Sequence, residues 1–160
     1  MVDIRRLAPA DWPTLRQVRL AALTDAPYAF GSTYEREIAF GEHDWRGRIQ
    51  RSAWFVAFEL DEPVGLAGAH APNDRPGTRE VVSMWVRPAA RAGKLADQLL
   101  STVLACAREE AAAEASLWVA DDNERARRFY LRYGFAPTGN RQPLWGHPGI
   151  EAAEYCLELS

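Results

Sequence analysis

The chain has 160 residues, 48% hydrophobic and 26% charged, with a net charge of -3, which is the make-up of one globular domain with a buried core and excludes a disordered chain. The acidic balance argues against a nucleic-acid coat and fits weakly with a cationic substrate. No apolar run approaches the roughly 18 residues of a membrane span, and MVDIRRLAPADW lacks a signal's apolar stretch, so a single cytoplasmic domain over residues 1–160 is expected, with no membrane or nucleic-acid partner.

In chain order, Ile4 to Leu7 suits a short strand. Asp11 offers an N-cap, and Leu15, Val18, Ala22 and Leu23 recur at helical spacing. Pro27 and Gly31 interrupt residues 25–34, an aromatic-bearing loop or irregular helix, and a helical piece covers Asp44 to Arg51. Strands follow at Ala53 to Leu60, Val64 to His70 and Glu80 to Val86, separated by a turn at 61–63 and a loop at 73–77. Leu95, Leu99, Leu100, Val103, Leu104 and Ala107 then share one helical face. Leu117 to Ala120 reads as a buried strand. Asp121, Asp122 and Asn123 are candidate caps for a helix carrying Ala126, Phe129, Tyr130 and Tyr133, stopped by Gly134. Residues 135–145 and 153–159 close as two strands around a loop at 146–149. The clustering of strands in runs favours an α+β fold, a twisted, mostly antiparallel mixed sheet of about seven strands flanked by about four helices.

Cys106 and Cys156 lie in apolar patterns without a CxxC partner and read as two buried thiols in a reducing compartment. His43, His70 and His147 are scattered, with no metal-ligand spacing, so no metal is expected.

Chemistry concentrates in two segments. The first, VRPAARAGKLAD, runs from Val86 to Asp97 between a strand and a long helix. Main-chain N–H groups at a helix start lack intrahelical partners and sit at the positive end of the dipole. Gly93 would let an anion approach the backbone, and Arg91 and Lys94 add cationic donors. An ordinary turn with solvated charges reads as well from this segment alone. The second is DDNERARRFYLRYGF, ending at Phe135.

Together these segments resemble the GCN5-related N-acetyltransferase (GNAT) superfamily, in which V-x-P precedes Q/R-x-x-G-x-G/A, and N-x-x-A-x-x-F/L-Y-x-x-x-G-F follows one helix and one strand later. Val86, Pro88, Arg91 and Ala96 match the first pattern, while Lys94 stands where the family has Gly and Gly93 lies one residue early. Asn123, Ala126, Phe129, Tyr130, Gly134 and Phe135 match the second. The resemblance implies an acetyl-CoA-dependent N-acetyltransferase acting on a primary amine of a small molecule or peptide by direct attack in a ternary complex. It places the coenzyme along Met84, Trp85, Val86, Arg91, Ala92, Gly93, Lys94, Leu95 and Ala96. Where Lys94 replaces the family's Gly, its side chain either narrows the diphosphate cradle or turns its ammonium towards a phosphate, and the second reading is preferred. Asn123 would bond the pantetheine arm, with Ala126 and Phe129 beside it. Tyr130 would protonate the departing thiolate, and a backbone N–H near Met84 to Val86 would stabilise the oxyanion.

An attacking amine must be neutral, which calls for a base. Glu80 is the leading candidate by position in the family, with Glu35 and Glu37 as alternatives. The acceptor pocket is expected opposite the coenzyme, bounded by residues 28–35 and 141–148, with aromatic walls from Tyr28, Phe30, Tyr34, Trp85 and Trp145 and with Glu35 at hand. Many family members are dimers, so a homodimer stays open. The rival readings are a non-catalytic acyl-CoA-binding relative, a protein-binding domain, and a nucleotide-phosphate module. The last would need a GxxxxGK[ST] run that is absent.

Overall fold

The structure, a computed structural model, describes residues 2–159. Along the chain stand β1 (Val2–Arg6), α1 (Trp12–Asp25), α2 (Tyr34–Ile38), α3 (Glu42–Arg51), β2 (Ala53–Glu59), β3 (Glu62–His70), β4 (Thr78–Val86), α4 (Leu95–Glu109), β5 (Glu114–Ala120), α5 (Glu124–Tyr133), β6 (Ala136–Pro143) and β7 (Glu151–Glu158). The strands form one mixed sheet in the order β1-β2-β3-β4-β5-β7-β6, in which only β4 and β5 run parallel.

The seven-stranded mixed sheet agrees with the sequence expectation, but there are five α-helices among the described residues, not four. The extra one is α2, where the Thr33 hydroxyl accepts the Arg36 N–H at 3.2 Å and caps a short turn. Asp11 does stand at the start of α1, but its carboxylate accepts the Ala8 N–H at 2.7 Å and closes the preceding turn instead. The β2–β3 turn falls earlier than expected. Leu60 (φ 50) and Asp61 (φ 65) take the two left-handed positions of a tight hairpin, and Glu62 already pairs with Glu59. Gly134, at φ 124, ends α5 in a conformation that a side chain would strain.

Two cores lie on opposite faces of the sheet, and the period-two alternation of β2 feeds both. Ala53, Phe55 and Ala57 join α4 and Tyr130 of α5 on one face, whereas Trp54 and Val56 pack under α1 and α3 with Leu15, Val18 and Trp45 on the other. The apolar stripe of α4, from Leu95 to Ala107, is buried as its spacing requires. Gly65 lets this helix ride close to β3, since a Cβ there would meet Leu99 Cδ1 at 2.8 Å. Cys106 and Cys156 are free and half-buried, not fully buried. Each thiol is pushed up by desolvation and by a neighbouring carboxylate, Glu110 for Cys106 and Glu114 for Cys156.

Candidate active site

The centre of the sheet is forked. β4 and β5 pair only from Thr78–Glu114 to Glu80–Ser116. Beyond that point β4 continues against β3 and β5 against β7, so the two strands part and leave inner edges without a partner strand. On β4 the register shifts so that Ser83 and Met84 oppose Ala67 alone, and Ser83 takes φ 59. This is a β-bulge, in which the extra residue is left out of the ladder and the strand is re-aimed.

Two cavities meet at this fork. The first, about 800 Å³, follows the β4–α4 turn and α5. Met84, Trp85, Val86, Arg91, Gly93 and Ala96 line it from one side, and Asn123, Ala126, Phe129 and Tyr130 from the other. A Cβ added at Gly93 would meet nothing within 4 Å, so the backbone there is open to a ligand. Three residues expected to hold the coenzyme stand apart from this cavity. Leu95 is buried in the core, and Ala92 and Lys94 are exposed on the turn. Lys94 caps α4 with φ -101, which any residue adopts, so the turn closes without the glycine of the family pattern.

Arg91 is also not the free cation that the sequence suggested. Its guanidinium donates to the Val86 carbonyl at 2.8 Å and pairs with Asp25, whose carboxylate also accepts the Trp85 indole N–H at 2.9 Å. Burial works against ionising Asp25, but the bonds from Trp85 and Arg91 and the charge of Arg91 outweigh it and hold the carboxyl below its ordinary range. Sequence reasoning missed Asp25, which lies 60 residues from Trp85 and 66 from Arg91. It also passed over Arg125, Arg128 and Arg132, which line the first cavity from α5. Their i, i+3, i+7 spacing was a visible signal of one cationic face.

The second cavity, about 550 Å³, lies beyond the fork. Both expected boundary segments contribute to it, through Phe30, Ser32, Gln142, Leu144 and Trp145. The aromatic walls are distributed otherwise than expected. Tyr28 lines the first cavity, Phe30 is buried where the two meet, and Trp85 is 6% exposed and tethered to Asp25. Tyr34 and Glu35 line neither cavity, because the outer face of α2 carries them into solvent.

The same helix turns Glu37 inwards, fully buried. Its carboxylate accepts two bonds of 2.9 Å from Arg19 and one of 2.8 Å from Arg48. Desolvation opposes the charge, yet the two guanidinium groups override it and lower the carboxyl to about 2. A doubly paired carboxylate with so little proton affinity is unsuited to be the base. Its role is structural: Arg19, held by Glu37, donates to the Ser83 hydroxyl at 2.8 Å and so braces the bulge.

Glu80 lines the second cavity from β4, and His70 of β3 stands opposite it with Nε2 at 3.5 Å from a carboxylate oxygen. The bond to Glu80 raises the histidine above its ordinary value, against some desolvation. Tyr130 borders both cavities, together with Phe30, Met84 and Asn123. Its ring is buried edge-on to Phe129 and Phe135 at centroid distances of 5.1 and 5.7 Å. Burial pushes the phenol up, so it stays protonated at neutral pH. Asn123 Oδ1 accepts the Ala126 N–H at 3.2 Å, which makes it the cap of α5 among the three expected candidates. Among the described residues, no three or more His, Cys, Asp or Glu side chains gather as a metal ion would need, and no helix is long and apolar enough to cross a membrane.

A family model described as the acetyltransferase (GNAT) family matches residues 12–135. No curated protein matches the sequence. Among solved structures, an acetyltransferase of the GNAT family from Streptococcus pneumoniae is 16% identical with a TM-score of 0.79, over 99% of each chain. YncA of Salmonella typhimurium, solved with its cofactor acetyl-CoA, is 19% identical with a TM-score of 0.79, over 100% of this chain and 95% of that one. The PaiA N-acetyltransferase of Thermoplasma acidophilum, in complex with coenzyme A, is 17% identical with a TM-score of 0.71, over 96% of this chain and 98% of that one. Identities this low establish a shared fold.

Proposed function

Because the chain belongs to the acetyltransferase (GNAT) family, we propose that it moves the acetyl group of acetyl-CoA to a primary amine of a small molecule, with both substrates bound at once. The observation that carries this reading is the meeting of two cavities at Tyr130, Met84 and Asn123 in the fork between β4 and β5. One cavity reaches a helix start, as suits a phosphate-bearing substrate. The other is of small-molecule size.

In this reading the first cavity takes the coenzyme, which supplies an acetyl group activated as a thioester. The open backbone at Gly93 and the start of α4 face its diphosphate, and Arg125, Arg128 and Arg132 add charge along the same groove. Its amide-bearing arm lies between the parted strands, whose inner edges offer main-chain donors and acceptors. The bulge at Ser83 and Met84 supplies an N–H to the oxyanion that develops at the reacting carbonyl. Glu80, directly or through water, takes the proton that the amine must lose and becomes neutral, while its partner His70 holds the carboxylate in place. The Tyr130 phenol delivers a proton to the departing sulfur. Two Arg partners leave Glu37 no part in proton transfer.

The test is calorimetry with acetyl-CoA followed by a thiol-release screen across an amine panel. Association together with amine-dependent thiol release supports the reading. Association without release from any amine favours a non-catalytic acyl-CoA-binding relative. Absence of association overturns both.

A further inference from the structure

Resting on the acetyl-transfer reading, we propose that the acceptor is an amine that also carries a carboxylate, of the amino-acid class, and that Arg36 is the group that reads the carboxylate. The charge of the second cavity motivates this. Four arginines line it, Arg19, Arg36, Arg48 and Arg51, and Glu80 is its one acidic lining residue among those described. Arg19 and Arg48 share the single carboxylate of Glu37. Arg36 and Arg51 have no carboxylate within ion-pair distance among the described residues.

Arg36 is also held in place without being used up. Its guanidinium lies over the Trp145 ring at 4.8 Å and near the Phe40 ring at 5.2 Å. One nitrogen donates to the Ser32 hydroxyl at 3.2 Å, and the rest of its donor fork has no partner among the described residues. Ser32 is itself buried, and its carbonyl lies 3.1 Å from His147 Nε2, which ties the segment leading into α2 to the loop that carries Trp145. A fixed, unpaired guanidinium on the wall of a small-molecule cavity suits a planar bidentate anion. The base Glu80 lines the same cavity, so amine and carboxylate of one acceptor have oppositely charged counterparts in it. The overall negative charge, which fits a cationic acceptor weakly, does not extend here: a polyamine would meet two uncompensated cations.

The experiment is a panel of L-α-amino acids, each beside its carboxamide and its decarboxylated amine. Binding to the CoA-loaded protein is measured by calorimetry, and turnover by thiol release. At least one amino acid should bind about tenfold or more tightly than its own carboxamide. Arg36→Gln should abolish that preference by raising the acceptor KM while leaving the acetyl-CoA KM unchanged, and Arg36→Lys should restore part of it. Arg36 is exposed on α2, so the fold does not depend on it. Arg51→Gln serves as a second probe, with a smaller loss expected. Binding and turnover of amines without preference for the carboxylate, or a preference untouched by both substitutions, would overturn this inference and leave acetyl transfer standing. Failure to bind coenzyme A would overturn the acetyl-transfer reading, and the inference with it.

Discussion

The two sides of the fork are built by different means. The side proposed for the coenzyme, from β4 to α5, is nearly continuous in sequence and offers largely main chain: a helix start, a bulge and two parted strand edges. The side proposed for the acceptor gathers α1, α2, α3 and the 144–147 loop, and side chains distant in sequence hold it together. Glu37 joins Arg19 to Arg48, and His147 reaches back 115 residues to Ser32. Main-chain recognition tolerates wide sequence drift, whereas a charged side-chain constellation can change its ligand through single replacements. One site can therefore keep its coenzyme while its acceptor changes.

Glu37→Ala should break the acceptor side most severely. It leaves Arg19 buried without its counter-ion, and the expected destabilisation is about 3–5 kcal/mol, read from urea unfolding. In surviving folded protein, kcat should fall more than the acetyl-CoA affinity, because Arg19 no longer braces the bulge at Ser83. The same carboxylate sets a pH dependence. Its folded-state value of about 2 lies below the ordinary 4.5. Its contribution is therefore complete above roughly pH 5 and drains as pH falls towards 2. In acid titrations followed by circular dichroism, the stability gap between the parent and Glu37→Ala should narrow over that window.

Tyr130→Phe tests the junction itself. The ring keeps its packing and only the proton is lost, so kcat should fall on the order of tenfold to a few hundredfold with both KM values held. An unchanged rate at saturation would remove Tyr130 from the acid role. Asp25→Ala crosses from one side to the other, since it frees both Trp85 and Arg91. Losing the bonds that fix Trp85 and Arg91 on the cavity wall should outweigh the freed charge of Arg91, weaken acetyl-CoA by roughly three- to tenfold and shift the tryptophan fluorescence. Lys94→Gly touches the coenzyme side alone. An exposed ammonium near a phosphate is worth little, and the expected loss of acetyl-CoA affinity is about two- to threefold, shrinking with salt. Tighter binding by Lys94→Gly would instead show that the side chain crowds the turn.

Much of the fold was legible because periodicity reports burial directly. The stripe of α4, the α5 motif and the run of strands all follow from spacing. The residues implied for the coenzyme, from Met84 to Ala96 and from Asn123 to Tyr130, largely line one cavity because they lie on adjacent elements. Tyr34, Glu35 and Leu95 went astray for one reason: a residue's place in a motif does not say which way its helix turns it. Glu37 is the sharpest case, two residues from the exposed Glu35 and fully buried.

The amino-acid sequence alone determined the layered α+β architecture, the helix start after β4, and the helix that carries Tyr130. Each of these depends on residues within a few turns or strands of one another. Tertiary structure alone decided that Asp25 disarms Arg91, that Glu37 is an ion-pair anchor and not a base, and that Arg36 stands unpaired above Trp145. Charge pairing depends on distance in space, and the packing of α1 against α2, α3 and β4 sets those distances without leaving a periodic trace in the chain.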